Sequence, residues 1–573
     1  MRLKIFSRIL LVFLVFLVSG LFHTQILQHR AYKIMSEKNR LRVLPLLAPR
    51  GTIIDRTGKI IAKDILSFDA AVIHSEIRDR EKLVQALAEL LDSTTDEVRM
   101  TIAKGRTMPY VPYVIRKDIG MQAAIQLEEI ITDHPGLILQ VSTRRKYFLG
   151  KAAGHITGYI GLPTQKELEK LKPYGYEISD YIGRSGVESV CDTYLKGEDG
   201  GKDVEVDHRG REVSVLGYKE PVPGKNVYLT IDSDLQEYVS EIFSDRRGAV
   251  IAMDPGTGEI RALFSSPSYD PEIFIDRKRQ KERVEVMCSG VPVLLDRAVA
   301  AKYPPGSVFK LVVASGALEE GKINARTEVV CTGGITIGRR VFGCWEKAGH
   351  GVQVLSDALK NSCDVFFYRA GLAIDVEGIA QYASKFGLGN ITNIDLPGEV
   401  KGVVPDRQMK MLQKKENWYP GDTANFSIGQ GFLLATPIEV LRMASVFANN
   451  GNLVKPFMIR QIGDLKICPS EPISVGLGAN TVDLVREGMR RCVNEQGGTG
   501  NNAASPDFVV AGKTGTAQVS GGKTHGWFVA FAPFEKPKLS VVVLDESGGL
   551  GGHYAAEIAG KVFKKAKELG LLE

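Results

Sequence analysis

The hydrophobic pattern changes character once along the chain, close to residue 30. Residues 9–28 form an almost unbroken apolar run, in which Ser19 is the one strongly polar residue before Phe22. Because about 20 apolar residues can cross a bilayer as a helix, this run predicts an N-terminal membrane anchor. A cleaved signal peptide is the competing interpretation, but Ser19-Gly20-Leu21 is a poor cleavage site. After residue 30 apolar and polar segments alternate, which is typical of a water-soluble body.

Turn-forming residues divide the chain into four predicted parts. We expect a cytoplasmic tip and transmembrane anchor over residues 1–29, a stalk over 30–48, a mixed α/β module over 49–223 and a further domain over 224–573. The last boundary follows from the turn-rich stretch 221–224, which reads Pro-Val-Pro-Gly.

The pattern of the last domain predicts one sheet between layers of helices. A long helical region is expected over 293–450, and an amphipathic helix over 554–569 closes the chain. Two strands before the helical region and three after it favour a five-stranded antiparallel sheet, and so an α+β fold. The predicted strands are 248–253, 259–264, 508–511, 527–532 and 539–544.

Composition and charge exclude several classes of protein. The 73 Lys and Arg residues nearly balance the 67 Asp and Glu residues over 573 positions, so a dedicated nucleic-acid binder is not expected. Seven cysteines are too few for a disulfide scaffold. Positive charges flank the apolar run on both sides and therefore indicate its orientation only weakly: Arg2, Lys4 and Arg8 precede it, and Arg30, Lys33 and Lys38 follow it.

The first candidate for chemistry is the pair Ser307 and Lys310. Pro304-Pro305-Gly306 precedes them and a nearly all-apolar segment follows, so the pair is expected on the first turn of a buried helix. A serine hydroxyl becomes a nucleophile when a neighbouring base takes its proton, and a desolvated lysine can be that base. A second S-x-x-K, from Ser520 to Lys523, lies in a glycine-rich loop and is interpreted as a solvated turn.

Two further motifs follow the first along the chain. Ser362-Cys363-Asp364 precedes an apolar helix; its Ser and Asp are either helix caps or a proton relay and a holding carboxylate.

Residues 513–516 read Lys-Thr-Gly-Thr and follow the predicted strand 508–511. A phosphate-binding loop would need glycine where Asp507 stands. We instead expect an edge strand whose lysine and threonines face a cleft, where Lys513 supplies positive charge and the threonine hydroxyls bind a substrate carboxylate.

Four soft ligands fall within 33 residues around the second motif. Three thiols and one imidazole form a complete set for a tetrahedral structural zinc, although their spacing matches no zinc-finger pattern. A disulfide between the first two cysteines, or unlinked side chains, are the open alternatives. The four are Cys331, Cys344, His350 and Cys363. The remaining cysteines, Cys191, Cys288, Cys468 and Cys492, are expected in the core.

The order S-x-x-K, S-x-D, K-T-G is the signature of penicillin-binding proteins and class A β-lactamases. The chain resembles a class B penicillin-binding protein over nearly its whole length. Asp364 and the stretch 344–351 resemble the elongation type within that class. The other matching segments are 50–58, 147–161, 183–188, 194–197, 229–232, 429–431, 435–437 and 525–529.

The resemblance implies a peptidoglycan D,D-transpeptidase that builds the wall during elongation and is acylated by β-lactams. It implies a transmembrane helix, a pedestal (dimerisation-type) domain over 49–223 and a transpeptidase domain on the outer side of the cytoplasmic membrane. No cofactor is needed for the chemistry, and the zinc would be structural. The implied catalytic residues are Ser307, Lys310, Ser362, Asp364 and Lys513, with Thr514, Gly515 and Thr516 binding substrate.

Partners and alternatives follow from the same resemblance. Stem peptides of nascent peptidoglycan would be the substrate, and a RodA-type glycosyltransferase and an MreC-type shape protein would bind the anchor and pedestal. Division- or sporulation-type members of class B are the nearest alternative. A β-lactamase or β-lactam sensor would lack the 49–223 module, and an inactive scaffold would not need three intact motifs.

Overall fold

The chain forms two compact units that alternate along the sequence. A computed structural model describes residues 2–30, 32–33, 41–107, 112–176, 180–206, 212–518, 523–546, 548 and 553–573. Residues 31 and 34–40 of the predicted stalk and Ser520 of the second S-x-x-K lie outside the described residues. Unit 1 comprises Met1–Gly51, Asp64–Lys146 and Lys196–Lys225, and unit 2 comprises Thr52–Lys63, Tyr147–Leu195 and Asn226–Glu573. The prediction treats residues 49–223 as one continuous module. The segments 52–63 and 147–195 instead belong to unit 2, together with the C-terminal body.

Unit 1 begins with the apolar helix that the sequence predicts. The helix Arg2–Phe22 continues into a π-helical turn, His23–Leu27, and Lys4–Leu27 is long and apolar enough to span a bilayer, with a mean hydropathy of 2.5. Its side chains are exposed along the whole length, since none of this window is buried inside the protein. A core helix of a soluble domain would instead bury one face.

The rest of unit 1 combines a small sheet with a helical lobe. Leu41–Leu46, Gly200–Val206 and Glu212–Lys219 form an antiparallel sheet in that order. The lobe has three helices, Arg80–Leu90, Thr95–Lys104 and Gly120–Ile131. Asp79 and Thr94 cap the first two by accepting backbone N–H bonds. The other strands are Ile60–Ile73, which runs into unit 1 from unit 2, Pro112–Arg116 and Leu137–Tyr147.

Unit 2 is built on the predicted five-stranded antiparallel sheet. In space the strands follow the order Ile260–Ser266, Gly248–Met253, Leu539–Asp545, Thr524–Ala532 and Ala511–Gln518, so that Ala511–Gln518 lies at one edge. Side chains alternate between its faces: Trp527, Val529 and Phe531 of β4 enter one core, and Phe528 and Ala530 the other. The strands are β1 (Gly248–Met253), β2 (Ile260–Ser266), β3 (Ala511–Gln518), β4 (Thr524–Ala532) and β5 (Leu539–Asp545).

Helices cover both faces of the sheet, which confirms the predicted sandwich. The helices Ser233–Phe243 and Tyr554–Glu568 share the smaller core with one face of the sheet. The other helices pack on the opposite face, where the larger core lies. They are α1 (Ser233–Phe243), α2 (Lys310–Glu319), α3 (Leu355–Lys360), α4 (Asp364–Lys385), α5 (Pro437–Ala448), α6 (Ala479–Asn494) and α7 (Tyr554–Glu568). α4 contains one non-helical residue, Asp375. Further helices are Gln280–Cys288, Arg407–Lys414 and Pro420–Ser427.

Three local predictions are wrong. The strand predicted at 508–511 starts only at Ala511 and continues to Gln518, so the K-T-G motif lies inside the edge strand β3, as expected, and not after a separate strand. The region 293–450 is not continuously helical, because two hairpins interrupt it: Val329–Cys331 with Gly351–Gln353, and Gly334–Ile337 with Arg340–Gly343. Cys288 and Cys468 are exposed, whereas Cys191 and Cys492 are buried as expected.

Short elements complete unit 2. Val227–Leu229 pairs with Ile53–Ile54 in parallel and with Ile459–Ile462 antiparallel. The segment 147–195 contributes the small helices Gly154–Thr157, Gln165–Leu171, Gly186–Val190 and Asp192–Leu195, and the strand pair Ile160–Gly161 and Ile182–Gly183. The remaining strands are Leu465–Lys466, Asn452–Leu453 and Ile473–Ser474.

Candidate active site

Ser307 stands on a 3₁₀ turn, Gly306–Phe309, that leads into α2. Two glycines fix this turn. Gly306 has φ +58° and donates its N–H to the Gly429 carbonyl at 2.9 Å, and Gly429 itself has φ +74°. A Cβ at Gly429 would lie 2.1 Å from the Gly306 carbonyl oxygen, so only glycine permits this approach. Ser307 is half-buried.

Lys310 is wholly buried one turn after Ser307, with 0% of its surface exposed. Its Nζ donates to the Ser362 carbonyl at 2.8 Å and to Asp364 Oδ1 at 2.7 Å, and lies 3.4 Å from Ser362 Oγ. A buried ammonium needs such partners, because desolvation without compensation is very costly. The first and second motifs are therefore in direct contact.

The second motif forms a tight turn between α3 and α4. Ser362 has φ +53°, a left-handed conformation that is uncommon for serine and is often found at functional sites. Neither side chain of the motif caps α4, since Cys363 is the cap residue and makes no side-chain cap bond. Asp364 instead bridges Lys310 and the backbone N–H of Trp345, which donates to Oδ2 at 3.0 Å. The alternative of ordinary helix caps is wrong.

The third motif lies on the edge strand β3, against the turn that carries Ser307. A Cβ at Gly515 would be 3.0 Å from the Pro305 carbonyl oxygen, so glycine permits the two segments to touch. Gln430 Nε2 donates to the Thr516 carbonyl at 3.3 Å. Lys513 is fully buried, and desolvation lowers its pKa to about 8. Its Nζ donates to the Thr514 carbonyl at 3.0 Å.

Together the three motifs place a serine hydroxyl, a second serine and two buried lysines in one region of unit 2. Such a set can activate a hydroxyl and carry a proton to a leaving group, which is the chemistry of acyl transfer through a covalent intermediate.

The four predicted metal ligands also converge. One ligand atom from each of Cys331, Cys344, His350 and Cys363 lies within 4.8 Å of all the others. His350 Nδ1 is 3.6 Å from Cys331 Sγ and 3.5 Å from Cys344 Sγ. A hydrogen bond from Cys363 favours the Cys344 thiolate and lowers the pKa of Cys344 to about 5. All seven cysteines are described and none forms a disulfide.

Two family models cover most of the chain. The penicillin binding protein transpeptidase domain matches residues 248–566, and the penicillin-binding protein dimerisation domain matches residues 45–229. Peptidoglycan D,D-transpeptidase MrdA of Acinetobacter baumannii is 32% identical, over 97% of this chain and 86% of its own.

The chain belongs to the penicillin-binding protein family. Its likeness to MrdA and to PBP2 structures makes it an elongation-type peptidoglycan D,D-transpeptidase. PBP2 of Helicobacter pylori, solved in a complex with MreC, has a TM-score of 0.82 and 27% identity, over 93% of this chain and 99% of that one. A structure of a peptidoglycan synthase complex has a TM-score of 0.76 and 29% identity, over 98% and 97%.

The comparisons also separate the alternatives within and outside this family. Stage V sporulation protein D of Bacillus subtilis is a weaker match, at 28% identity over 92% of this chain and 80% of its own. The dimerisation domain distinguishes this penicillin-binding protein from β-lactamases and sensors, which we expect to lack such a module.

Sequence reasoning missed three groups that support the site of this transpeptidase. Tyr303 bonds Glu546 through its hydroxyl, and Arg297 Nε donates to Glu546 at 2.9 Å. Trp345 Nε1 donates to the Asn361 carbonyl at 3.0 Å. No local pattern signals these contacts, because the Arg297 and Glu546 partners are separated by 249 residues in sequence. The third group consists of Thr499 and the two side chains that it contacts, Cys492 and Thr514.

Proposed function

We propose that Ser307 is the nucleophile of this transpeptidase. Its Oγ attacks the carbonyl of the penultimate D-Ala of a stem peptide, the bond to the terminal D-Ala breaks, and an acyl-enzyme ester forms. An amine of a neighbouring strand then attacks the ester and restores the Ser307 hydroxyl. β-Lactams acylate the same oxygen, because their strained amide takes the place of the peptide bond.

The buried contact between Lys310 and the second motif carries this assignment. Lys310, when its Nζ is neutral, takes the proton of Ser307 as general base, and Asp364 Oδ1 stabilises the ammonium that forms. Ser362 lies 3.4 Å from Nζ and passes a proton toward the leaving amine. The pKa of Lys513 is about 8, which is near neutral pH, so this lysine can exchange a proton in the same step.

Substrate binding is proposed for the third motif. The hydroxyls of Thr514 and Thr516 and the charge of Lys513 would bind the terminal carboxylate, and Gly515 lets the strand approach the Ser307 turn. The backbone N–H groups of Ser307 and Thr516 would stabilise the oxyanion of the tetrahedral intermediate.

Acylation by a fluorescent penicillin tests the assignment on the full chain in detergent. Intact mass should show one stable adduct on the wild type and none on Ser307→Ala. Ser315→Ala, which removes a buried hydroxyl from the same helix, should react as the wild type does. An adduct that persists on Ser307→Ala would refute the nucleophile, and rapid release of hydrolysed drug would favour a β-lactamase activity.

We also propose that the cluster of Cys331, Cys344, His350 and Cys363 holds one structural zinc. With Zn–N of about 2.05 Å and Zn–S of about 2.3 Å, a tetrahedral site places nitrogen and sulfur about 3.6 Å apart. The two measured N···S distances are 3.5 and 3.6 Å. Nδ1 is the ring nitrogen of His350 that faces both sulfurs, so it would be the ligand atom.

Metal analysis of the full chain, purified without added metal, tests this site. One zinc per chain is expected, and Cys331→Ser should lose it. Cys191→Ser changes another buried cysteine and should keep the metal. A metal-free protein that has lost two hydrogens through a Cys331–Cys344 disulfide would contradict the proposal.

Partner binding is proposed for unit 1 and the anchor. Similar structures include one solved with MreC and one from a peptidoglycan synthase complex, so an MreC-type protein and a RodA-type glycosyltransferase are the expected partners. The edge strand Glu212–Lys219 exposes an unusual row of apolar side chains that a partner could cover. They are Val213, Val215, Leu216 and Tyr218.

Co-purification with the two partner types from the same organism tests this surface. The double change Val215→Lys and Tyr218→Lys should reduce recovery of at least one partner. Leu412→Lys, at an exposed leucine of unit 2, should leave recovery unchanged. Equal recovery of both partners with all variants would contradict the surface.

The proposed location is the cytoplasmic membrane, crossed once, with the catalytic domain on the periplasmic or outer side. The single apolar N-terminal helix and the extracytoplasmic position of the substrate support it. Protease added to spheroplasts should digest the catalytic domain, and protection of that domain until lysis would contradict this orientation.

A further inference from the structure

Thr499 connects the second and third catalytic motifs. Its Oγ1 lies 2.7 Å from Thr514 Oγ1 of the K-T-G strand, and 3.4 Å from the carbonyl oxygen of Lys360. Its backbone N–H donates to the same carbonyl. Lys360 ends α3, two residues before Ser362. One side chain therefore touches both segments that hold the substrate.

A glycine-rich turn is shaped to bring Thr499 into this position. Residues 497–500 read Gly-Gly-Thr-Gly, directly after α6. Gly500 donates its N–H to the Cys492 carbonyl at 3.0 Å. A Cβ at Gly498 would lie 2.3 Å from that same oxygen. Such close backbone packing needs glycine and places the one side chain of the turn against β3.

The hydroxyl of Thr499 lies in a chain of three groups. Cys492 Sγ is buried and lies 3.3 Å from Thr499 Oγ1, which in turn lies 2.7 Å from Thr514 Oγ1. A hydroxyl has one proton to donate and two lone pairs to accept with. If Cys492 donates to Thr499 and Thr499 donates to Thr514, the Thr514 proton is left free for a ligand.

The reverse direction ends in a poorer bond. Thr514 would donate to Thr499, which would then donate to one of two poor acceptors. The Lys360 carbonyl lies at 3.4 Å, beyond the usual 2.5–3.0 Å for O–H···O bonds, and Cys492 Sγ is a weak acceptor. A carboxylate beside Thr514 favours the outward direction further, because an anion is the stronger acceptor.

We propose that Thr499 is a positioning residue that directs the Thr514 hydroxyl proton toward the carboxylate of the stem peptide or of a β-lactam. This rests on the proposed carboxylate-binding role of Thr514. Thr499 touches no reacting atom; it sets the direction of a hydrogen bond to the substrate.

The test compares two ligands that differ only in the carboxylate: benzylpenicillin and its methyl ester. The second-order rate of acylation is measured on the full chain by intact mass. Thr499→Val keeps the shape and removes the hydroxyl, so it should slow benzylpenicillin about tenfold and leave the ester rate unchanged. Thr499→Ser should restore the wild-type rates.

Further variants separate the possible failures. Thr514→Val should show the same selective loss, and the double variant no additional loss, since both changes remove one interaction. Cys492→Ala should give a smaller loss of about two- to threefold with the same selectivity. Thr257→Val removes a half-buried hydroxyl from the turn between β1 and β2, at the other edge of the sheet, and should change neither rate.

Three results would overturn the proposal. Equal slowing of both ligands by Thr499→Val would show a general packing role. No slowing of either ligand, while Thr514→Val is selectively impaired, would refute Thr499 alone. If Thr514→Val is not selectively impaired, the carboxylate role of Thr514 fails and the proposal fails with it. If Thr499→Val does not fold, Cys492→Ala takes its place. A loss confined to benzylpenicillin then supports the proposal, and equal slowing of both ligands, or of neither, overturns it.

Discussion

Replacing Lys513 by methionine should stabilise the protein while abolishing its reaction. Lys513 is fully buried, and desolvation lowers its pKa from 10.5 to about 8. Below pH 8 the folded protein must keep this lysine charged, which costs about 3 kcal/mol at pH 7 relative to the unfolded chain. Methionine has a similar unbranched shape without the charge. After subtracting about 1 kcal/mol for the lost bond to the Thr514 carbonyl, a gain of about 2 kcal/mol remains.

The sign of the pH dependence makes the prediction specific. The folded pKa of Lys513 lies below its unfolded value, so folding releases a proton between pH 8 and 10.5 and wild-type stability rises with pH in that window. The penalty falls to about 1 kcal/mol at pH 9.5, and the advantage of Lys513→Met should shrink by about 2 kcal/mol between pH 7 and pH 9.5.

Urea unfolding of the full chain in detergent, at both pH values, measures this difference. Penicillin acylation of the same samples should be lost in Lys513→Met. Lys322→Met removes an exposed lysine and should change stability by less than about 0.5 kcal/mol at either pH. A Lys513→Met protein that is less stable than the wild type at pH 7, or whose advantage does not depend on pH, would refute the reasoning.

Three further changes test the rest of the site. Asp364→Ala leaves the buried Lys310 charge without its carboxylate, which should cost about 3–5 kcal/mol and slow acylation at least about hundredfold, whereas Asp364→Asn should lose less; melting and acylation rates measure both. Gly429→Ala places a Cβ 2.1 Å from the Gly306 oxygen and should abolish acylation, while Gly570→Ala, at a similar positive φ but in open space, should lower stability by only about 1–2 kcal/mol. Chelation of the proposed zinc should lower the melting temperature of the wild type but not that of a Cys331→Ser protein, and equal effects on both would contradict a structural metal at the cluster.

The chemistry-bearing residues were predictable because their motifs are local. The spacing of Ser307 and Lys310 follows from one helical turn, and the buried strands of β1 and β5 follow from short apolar runs bounded by turns. The edge strand that carries Lys513 and its threonine neighbours was predicted, but its bounds were not, because the apolar run before it suggested a strand at 508–511. Pairing with β4 and contact with the Ser307 turn make them a strand.

Sequence order also indicated the family and predicted the anchor, since an apolar run of this length and a set of ordered motifs need no tertiary information. Only the folded chain decided which groups meet. Lys310 and Asp364 are 54 residues apart, and Thr499 reaches both Lys360 and Thr514. Such pairings depend on how helices pack on a sheet, which local periodicity does not encode. A buried charge or hydroxyl acquires its role from the neighbour that packing gives it, and that neighbour lies far away along the chain.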